Sequence, residues 1–348
     1  MKALLYEGPQ RFSVKEVPVP EIGDGEVLVA VEACGLCGTD IIKITQGKTP
    51  APVPLGHEVS GKVAAVGKGV KGFAVGDRVL VAHHVPCGEC RFCKRGSETM
   101  CADFKRTNLD PGGFSEFARV SAKHVANTML KLPRKIDFAR ASQAEPLACC
   151  LRNAKRLGLG EGDVAVVIGL GSIGLMMAQT LKVRGVTVVA FDLEPSRVRQ
   201  AQKSGLDHAY TGREGNGEEL VRSLSGRRGA DAIVFTAGSP NLIAERLTWV
   251  RDGGTLNVFA SFHPDPMLRL DLNAVYHREL TVMASYSATP TDLREALALI
   301  ESGEINLDPY ICNTFALERF PEALRQAKGR EVLKAIMLPQ KSKDDRSA

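Results

Sequence analysis

Two textures of apolar spacing divide the chain. Over the first 120 residues, short apolar runs broken by Gly and Pro occupy residues 2–5, 27–33, 58–66, 78–81 and 113–120. Runs this short and unevenly spaced predict strands of a barrel-like β domain. Residues 94–104 are polar and predict a loop, and residues 139–157 carry a helical pattern. From Val164 onward, continuous apolar runs of the kind buried on both faces take turns with helical segments. The strand candidates are residues 164–168, 187–191, 209–210, 232–235, 255–259 and 280–284, with helices over 173–183, 195–203 and 217–224. Six strands in this rhythm predict an α/β fold with a doubly wound parallel sheet. After Ser285 the rhythm ends: residues 291–300 read as a helix, 315–337 carry mixed signals, and the polar 341–348 read as a disordered tail. A tail of about 60 residues is too small for a third core, so it is expected to rejoin the first domain. The expected division is 1–147 with 288–348, and 148–287.

The stretch from Asp163 to Asp192 concentrates the chemistry. A buried strand leads into Gly169-Leu170-Gly171-Ser172-Ile173-Gly174, spaced G-x-G-x-x-G, then a helix and a second strand ending on Asp192. The first glycine permits the tight turn, the second lets a pyrophosphate approach the backbone, and the third lets helix and strand pack closely. The helix N-terminus offers free N–H groups and a partial positive charge to the phosphates. Asp192 suits the two adenosine ribose hydroxyls and would repel a 2′-phosphate, which favours NAD over NADP. Arg197 reads equally as a ribose or 2′-phosphate partner and as a solvated helix arginine.

Composition narrows the class further. With 44% apolar and 24% charged residues, this is the make-up of a soluble globular protein. The formal charge of +5 is spread along the chain and points to neither nucleic acid nor membrane. No leader pattern precedes the first strand and no apolar run approaches about 20 residues, so the cytoplasm is expected. Nine cysteines in that compartment suggest metal or structural thiols.

Four of them, Cys87, Cys90, Cys93 and Cys101, are spaced C-x2-C-x2-C-x7-C. Four thiolates this close can close a tetrahedron around a structural zinc; an iron–sulfur cluster accepts the same set. A dispersed group is less specific residue by residue: Cys37 in C-G-T-D, His57 and Glu58 in G-H-E, and Glu145 in A-E-P. Together, however, Gly56-His57-Glu58, Gly61, Gly67 and Val70 reproduce G-H-E-x2-G-x5-G-x2-V. With Cys37 to Asp40, the four-cysteine loop, the glycine motif and the segment Thr314 to Leu324, the chain resembles the zinc-dependent medium-chain dehydrogenases over nearly its whole length.

The resemblance implies a GroES-like catalytic domain joined to a Rossmann domain and two zinc ions per chain, one catalytic and one structural. It also implies hydride transfer between a secondary alcohol and NAD. Glu145-Pro146 is similar to the polyol (sorbitol-like) and threonine dehydrogenase branch. There Cys37, His57, Glu58 and Glu145 would serve the catalytic zinc, one glutamate binding it while the other orients the zinc-bound water or exchanges with it, with Glu58 also catalytic and Cys149 and Cys150 as rival ligands. Thr39 would take the hydroxyl proton. Ile42 stands where many relatives carry a relay histidine, and Lys43 follows it where an aromatic is frequent. Polyol-type substrates lead and L-threonine or simple secondary alcohols follow; Lys43, Lys48 and Arg106 are read as loop charges, with an acidic sugar the other reading. His83 and His84 are read as bracing a strand end, Cys34 and Cys312 as core, and His124, His208, His263 and His277 receive no role. A zinc-free reductase would lack Cys37 and His57, and a non-catalytic binding protein would be expected to lose zinc ligands. A homodimer or homotetramer through the 255–259 and 280–284 strands is expected.

Overall fold

A computed structural model describes residues 1–46, 51, 53–212, 216–262 and 267–340. Lys48, His263 and residues 341–348 lie outside the described residues. The chain divides into two compact units: Met1–Pro146 with Thr289–Gly303 and Leu307–Ala348, and Leu147–Ala288 with Glu304–Asn306. The short second piece of the latter is absent from the expected division. It is held there because the Asn306 N–H donates to Gln179 Oε1 at 2.8 Å and the Asn306 carbonyl accepts from Gln179 Nε2 at 3.3 Å.

The first unit is β-rich. Its larger sheet runs in the order Thr314–Phe315, Ile336–Met337, Val27–Gly35, Glu58–Val66, Arg78–Ala82, Met129–Lys131, with Phe117–Val120 also pairing to Val27–Gly35. Val27–Gly35 is the hub because it alternates: Val27, Val29, Val31 and Ala33 point into the core and the residues between them are half-buried. Phe114 and Phe320 close that core, with ring centroids 5.5 Å apart. A smaller sheet joins Arg11–Glu16, Lys2–Gly8 and Val53–Pro54.

The second unit holds six parallel strands in the order His208–Thr211, Thr187–Asp192, Val164–Ile168, Ala230–Phe235, Val250–Val258, Thr281–Ala284. Every residue of Val164–Ile168 and Ala230–Phe235 is buried, as strands covered on both faces must be. The chain reverses direction across the sheet beside Val164–Ile168, so the loop after that strand opens at the switch point where such sheets bind ligands.

Three local expectations change. The helix expected over 139–157 is two, Phe138–Ser142 and Ala144–Leu157. Asp137 caps the first by accepting from the Arg140 N–H at 2.8 Å, and the Gln143 N–H closes on the Arg140 carbonyl, ending that turn before the next begins. The polar loop 94–104 contains short helical turns, Glu98–Met100 and Ala102–Arg106, wound by the cysteines around them. Cys312, expected in the core, is exposed just beyond the short helix Asp308–Ile311; Cys34 is fully buried.

Candidate active site, cysteine lobe and dinucleotide loop

Cys37 lies between the hub strand and the helix Gly38–Gln46, and His57 and Glu58 lie at the start of the next strand. The register pairs Gly35 with Glu58, which carries the two motifs to the same end of the sheet. One donor atom each from Cys37, His57 and Glu58 lies within 4.8 Å of the others, and Glu145 falls outside that set. Glu145 stands in the first turn of Ala144–Leu157, partly buried. Cys149 is also partly buried and Cys150 fully so, its thiol directed at the Ile173 carbonyl 3.8 Å away. Thr39 is exposed at the start of its helix, and its N–H donates to Cys37 Sγ at 3.4 Å.

The three donors are held by partners of their own. Asp40, buried to 1% exposure, accepts from the Cys37 N–H at 3.3 Å and faces His57 Nδ1 at 3.3 Å. That contact is an ion-pair approach rather than an aligned hydrogen bond; it turns Nδ1 toward Asp40 and leaves the other ring nitrogen for a metal. Burial opposes a charge on His57, yet Asp40 and Cys37 outweigh it and hold the imidazole well above its ordinary value. A divalent cation satisfies the same field. Glu58, fully buried, receives a hydrogen bond from Lys334 Nζ at 2.6 Å on Oε1, while Oε2 has no hydrogen-bond partner. Burial works to discharge Lys334, but Glu58, Cys37 and Glu145 outweigh it and raise its pKa. A cysteine sulfur, an imidazole and a carboxylate brought this close are a zinc-type ligand set.

His83 does more than brace a strand end. Its ring lies 4.6 Å from His57 and 3.8 Å from His84, and His84 lies 4.9 Å from Phe104. His84 Nδ1 bonds the Thr107 carbonyl at 2.7 Å and burial takes its pKa down to about 4; His83 is likewise driven down by burial and by His57. His124 bonds the His83 carbonyl at 2.9 Å. The stack runs from the candidate catalytic centre to the cysteine lobe.

In that lobe Cys87 Sγ lies 3.9 Å from Cys93 Sγ and 3.5 Å from Cys101 Sγ, and Cys90 Sγ lies 3.6 Å from Cys93 Sγ. Zinc–sulfur bonds of about 2.3 Å imply tetrahedral edges of about 3.8 Å, so the thiols are spaced for one ion. Burial pushes the Cys101 thiol up, but N–H donors from Cys87, Phe104 and Asp103 outweigh it and bring it down to about 6. Burial and its neighbouring thiols push Cys93 up to about 12. Protons shared unevenly among four sulfurs are what a metal replaces.

In the second unit the glycine motif lies between Val164–Ile168 and the helix Ser172–Val183. A Cβ on Gly174 would lie 1.8 Å from the Gly169 carbonyl oxygen, so helix and strand touch backbone to backbone. Gly169 turns at φ 93°, and a Cβ there would meet Ala237 at 2.6 Å. Asp192 Oδ2 accepts from the Leu170 N–H at 2.6 Å and Oδ1 from the Glu194 N–H at 2.9 Å. Two of the roughly four lone-pair sites of the carboxylate remain for ribose hydroxyls. Arg197 Nη1 stands 3.7 Å from Asp192 Oδ2 and over Gly171, beside the loop rather than out in solvent.

Comparison with known proteins decides the family. A model described as the alcohol dehydrogenase GroES-like domain matches residues 23–133, and one described as zinc-binding dehydrogenase matches residues 172–302. The chain belongs to the zinc-dependent alcohol dehydrogenase family. A sorbitol dehydrogenase from Halalkalibacterium halodurans is 32% identical over 97% of this chain and 99% of its own. A D-altritol 5-dehydrogenase from Agrobacterium fabrum is 35% identical over 88% and 90%, and an L-threonine 3-dehydrogenase from Bacillus velezensis 31% over 97% and 99%. Among solved structures, the alcohol dehydrogenase TADH from Thermus sp. ATN1 matches with a TM-score of 0.87 at 27% identity, over 97% of this chain and 99% of that one. This dehydrogenase is therefore an oxidoreductase of the zinc- and NAD(P)-using class, and the non-catalytic reading falls away.

Two residues at the candidate site escaped the sequence. Asp40 lay inside the C-G-T-D motif, where a buried acid three residues from a cysteine signals a ligand's partner. Lys334 carried no signal, because nothing local marks a lysine in residues 331–337 as buried.

Proposed function

We propose that this dehydrogenase oxidises the secondary alcohol of a polyol-type substrate with NAD, in a catalytic domain formed by the first unit. The observation that carries this is the clustering of one donor atom each from Cys37, His57 and Glu58 within 4.8 Å of one another. The relatives named for sorbitol and D-altritol support the polyol class over L-threonine.

Cys37, His57 and one of Glu58 and Glu145 would hold zinc, which would supply Lewis acidity, and the dinucleotide loop would hold NAD as the hydride acceptor. The chain supplies the rest. Asp40 fixes the ring of His57. The hydroxyl of Thr39, exposed at the helix start, takes the substrate proton and hands it to solvent. Ile42 offers no relay there, so the route runs through Thr39 rather than along the helix. Gly171 and the N–H groups of Ser172–Val183 seat the pyrophosphate, and Asp192 with Arg197 takes the adenosine ribose. Cys87, Cys90, Cys93 and Cys101 would hold a second zinc, whose role with four sulfur ligands would be to stabilise the lobe.

The open edge strand Thr281–Ala284 exposes Val282, with Tyr276 and Tyr286 exposed to 77% and 53% beside it. An unpaired apolar edge of this kind supports pairing of two copies along it. A monomer by light scattering would refute that pairing. No helix among the described residues is long and apolar enough to cross a membrane.

The test is NAD+ reduction across sugar alcohols, cyclitols, aldonates, L-threonine and simple secondary alcohols, with zinc content measured on the same preparation. Turnover of a polyol with about two zincs per chain is expected. Preference for L-threonine would overturn the substrate class, and a single zinc would overturn the catalytic centre.

A further inference from the structure

Lys43 is not a loop charge. It stands in the last turn of the helix Gly38–Gln46, four residues after Thr39. That helix is two-sided: Asp40 and Ile44 are each 1% exposed and pack inward, whereas Thr39 and Lys43 are exposed. Residues four apart on a helix stand one above the other, with Cβ atoms about 5–6 Å apart. The face that presents the Thr39 hydroxyl therefore presents an ammonium one turn further on. The same helix starts beside Cys37, whose Sγ accepts from the Thr39 N–H at 3.4 Å.

Among the described residues no carboxylate pairs with Lys43. Arg106, by contrast, is paired with Asp103 at 2.8 Å. Asp40, on the helix of Lys43, is committed to the Cys37 N–H and to His57. The ammonium nevertheless acts on the candidate centre. Burial pushes the Asp40 carboxyl up, and His57, with a smaller contribution from Lys43, brings it below its ordinary value. Lys43 also adds to the burial that drives His83 and His84 down. A lysine in a last helical turn complements the helix dipole, a stabilising role that is indifferent to what the enzyme binds. An unpaired cation one turn from the proton-accepting hydroxyl does more, because it sorts alcohols by charge. Its flexible four-carbon stem and compact head suit an anionic group whose distance from the reacting carbon varies. We infer that Lys43 is a specificity-determining residue and that the preferred substrate is an anionic polyol derivative, with a carboxylate or phosphate group a few carbons from the reacting carbinol. The inference rests on the polyol reading proposed above and narrows it. The anionic group takes no part in the bond changes: the carbinol carbon gives its hydride to NAD+, its oxygen gives up the proton, and a ketone remains.

The experiment offers the holoenzyme matched sets on one carbon skeleton, each an alditol, its aldonate and its terminal phosphate, over several pentitol and hexitol configurations. Wild type is compared with K43M, K43R and K43E. The readouts are kcat/KM at low and high salt, and calorimetric affinity for the enzyme–NADH complex, which needs no turnover. Wild type should favour the best anionic member over its alditol by at least about tenfold in kcat/KM. K43M should cut that ratio about tenfold, K43R should keep most of it and K43E should reverse it, with the affinities moving in step. Salt should lower the ratio in wild type and much less in K43M, because screening acts on the pair. A K43M protein that melts lower but keeps both the ratio and its salt dependence would overturn the inference, leaving the lysine to the helix dipole. So would a wild type that handles alditol and anion within about threefold of each other, a result that spares the polyol reading. Turnover confined to L-threonine or simple secondary alcohols would instead overturn the polyol reading, and the inference with it. Aldonates ahead of phosphates assign the anion as a carboxylate, and the reverse order assigns a phosphate.

Discussion

Asp192→Ala should convert the cofactor preference. In the native loop both carboxylate oxygens are anchored, to Leu170 N–H at 2.6 Å and Glu194 N–H at 2.9 Å, so the charge is fixed in one place. Hydrogen bonds to a charged acceptor contribute about 1.5–3 kcal/mol each, and two ribose hydroxyls lost together, with partial replacement by water, come to about 2–4 kcal/mol. That is roughly a 30- to 1,000-fold loss in kcat/KM for NAD+. NADP+ moves the other way. The anion that repels its 2′-phosphate is gone, and Arg197, now 3.7 Å from Asp192 Oδ2, is free to meet it, a gain of roughly tenfold at a partly exposed site. The assay is kcat/KM for both cofactors at one saturating alcohol, with a thermal melt to confirm folding. Arg197→Ala added to Asp192→Ala should erase the NADP+ gain. A folded Asp192→Ala protein whose NADP+/NAD+ ratio stays within about threefold of wild type would refute the assignment of Asp192 to the ribose.

Three further outcomes are expected. Cys37→Ala should abolish turnover while NADH binding, read by fluorescence titration, stays within about twofold, since the nucleotide loop is built elsewhere in the chain. Cys101→Ser should drop zinc content from about two to about one per chain and lower the melting temperature, measured by metal analysis and calorimetry. Asp40→Asn should weaken catalytic zinc by roughly 10- to 100-fold in chelator competition, because His57 loses the partner that orients it; unchanged affinity would deny Asp40 that role.

What could be read from the sequence was what is local. Strand, glycine turn, helix, strand and Asp192 occupy one unbroken stretch, and each step constrains its neighbours, so the six-stranded sheet and its ligand loop were legible in order. The four cysteines are equally local. The other centre was legible only as a resemblance, since Cys37, His57 and Glu58 carry no shared periodicity and are brought together by the pairing of Gly35 with Glu58. Short elements were missed for a plain reason. The helix Gly38–Gln46 and the turns at 98–106 are too brief to show a period, and tertiary contacts wind them. The two helices taken for one at 139–157 differ by a single closing hydrogen bond at Gln143, which no apolar pattern marks. The ring contacts of His83 with His57 and His84 leave no spacing rule in sequence.

The sheet that carries the metal ligands is finished last by its own C-terminal end. Val27–Gly35 and Glu58–Val66 leave the ribosome early, whereas Lys334 and Ile336–Met337 follow 276 residues after Glu58. At about 5–20 residues per second, that is a wait of roughly 15–55 s. During it the second unit is made, while Glu58 has neither its ammonium nor the strand that seats it. A nascent chain stalled before Lys334 already contains all the candidate ligands, so it should hold zinc with Glu58 lacking its ammonium partner and change its zinc affinity once Lys334 arrives. Stalled and released chains that hold zinc equally tightly would contradict this. Biosynthesis would then assemble the candidate ligand set first and complete the buried Lys334–Glu58 pair around it afterwards.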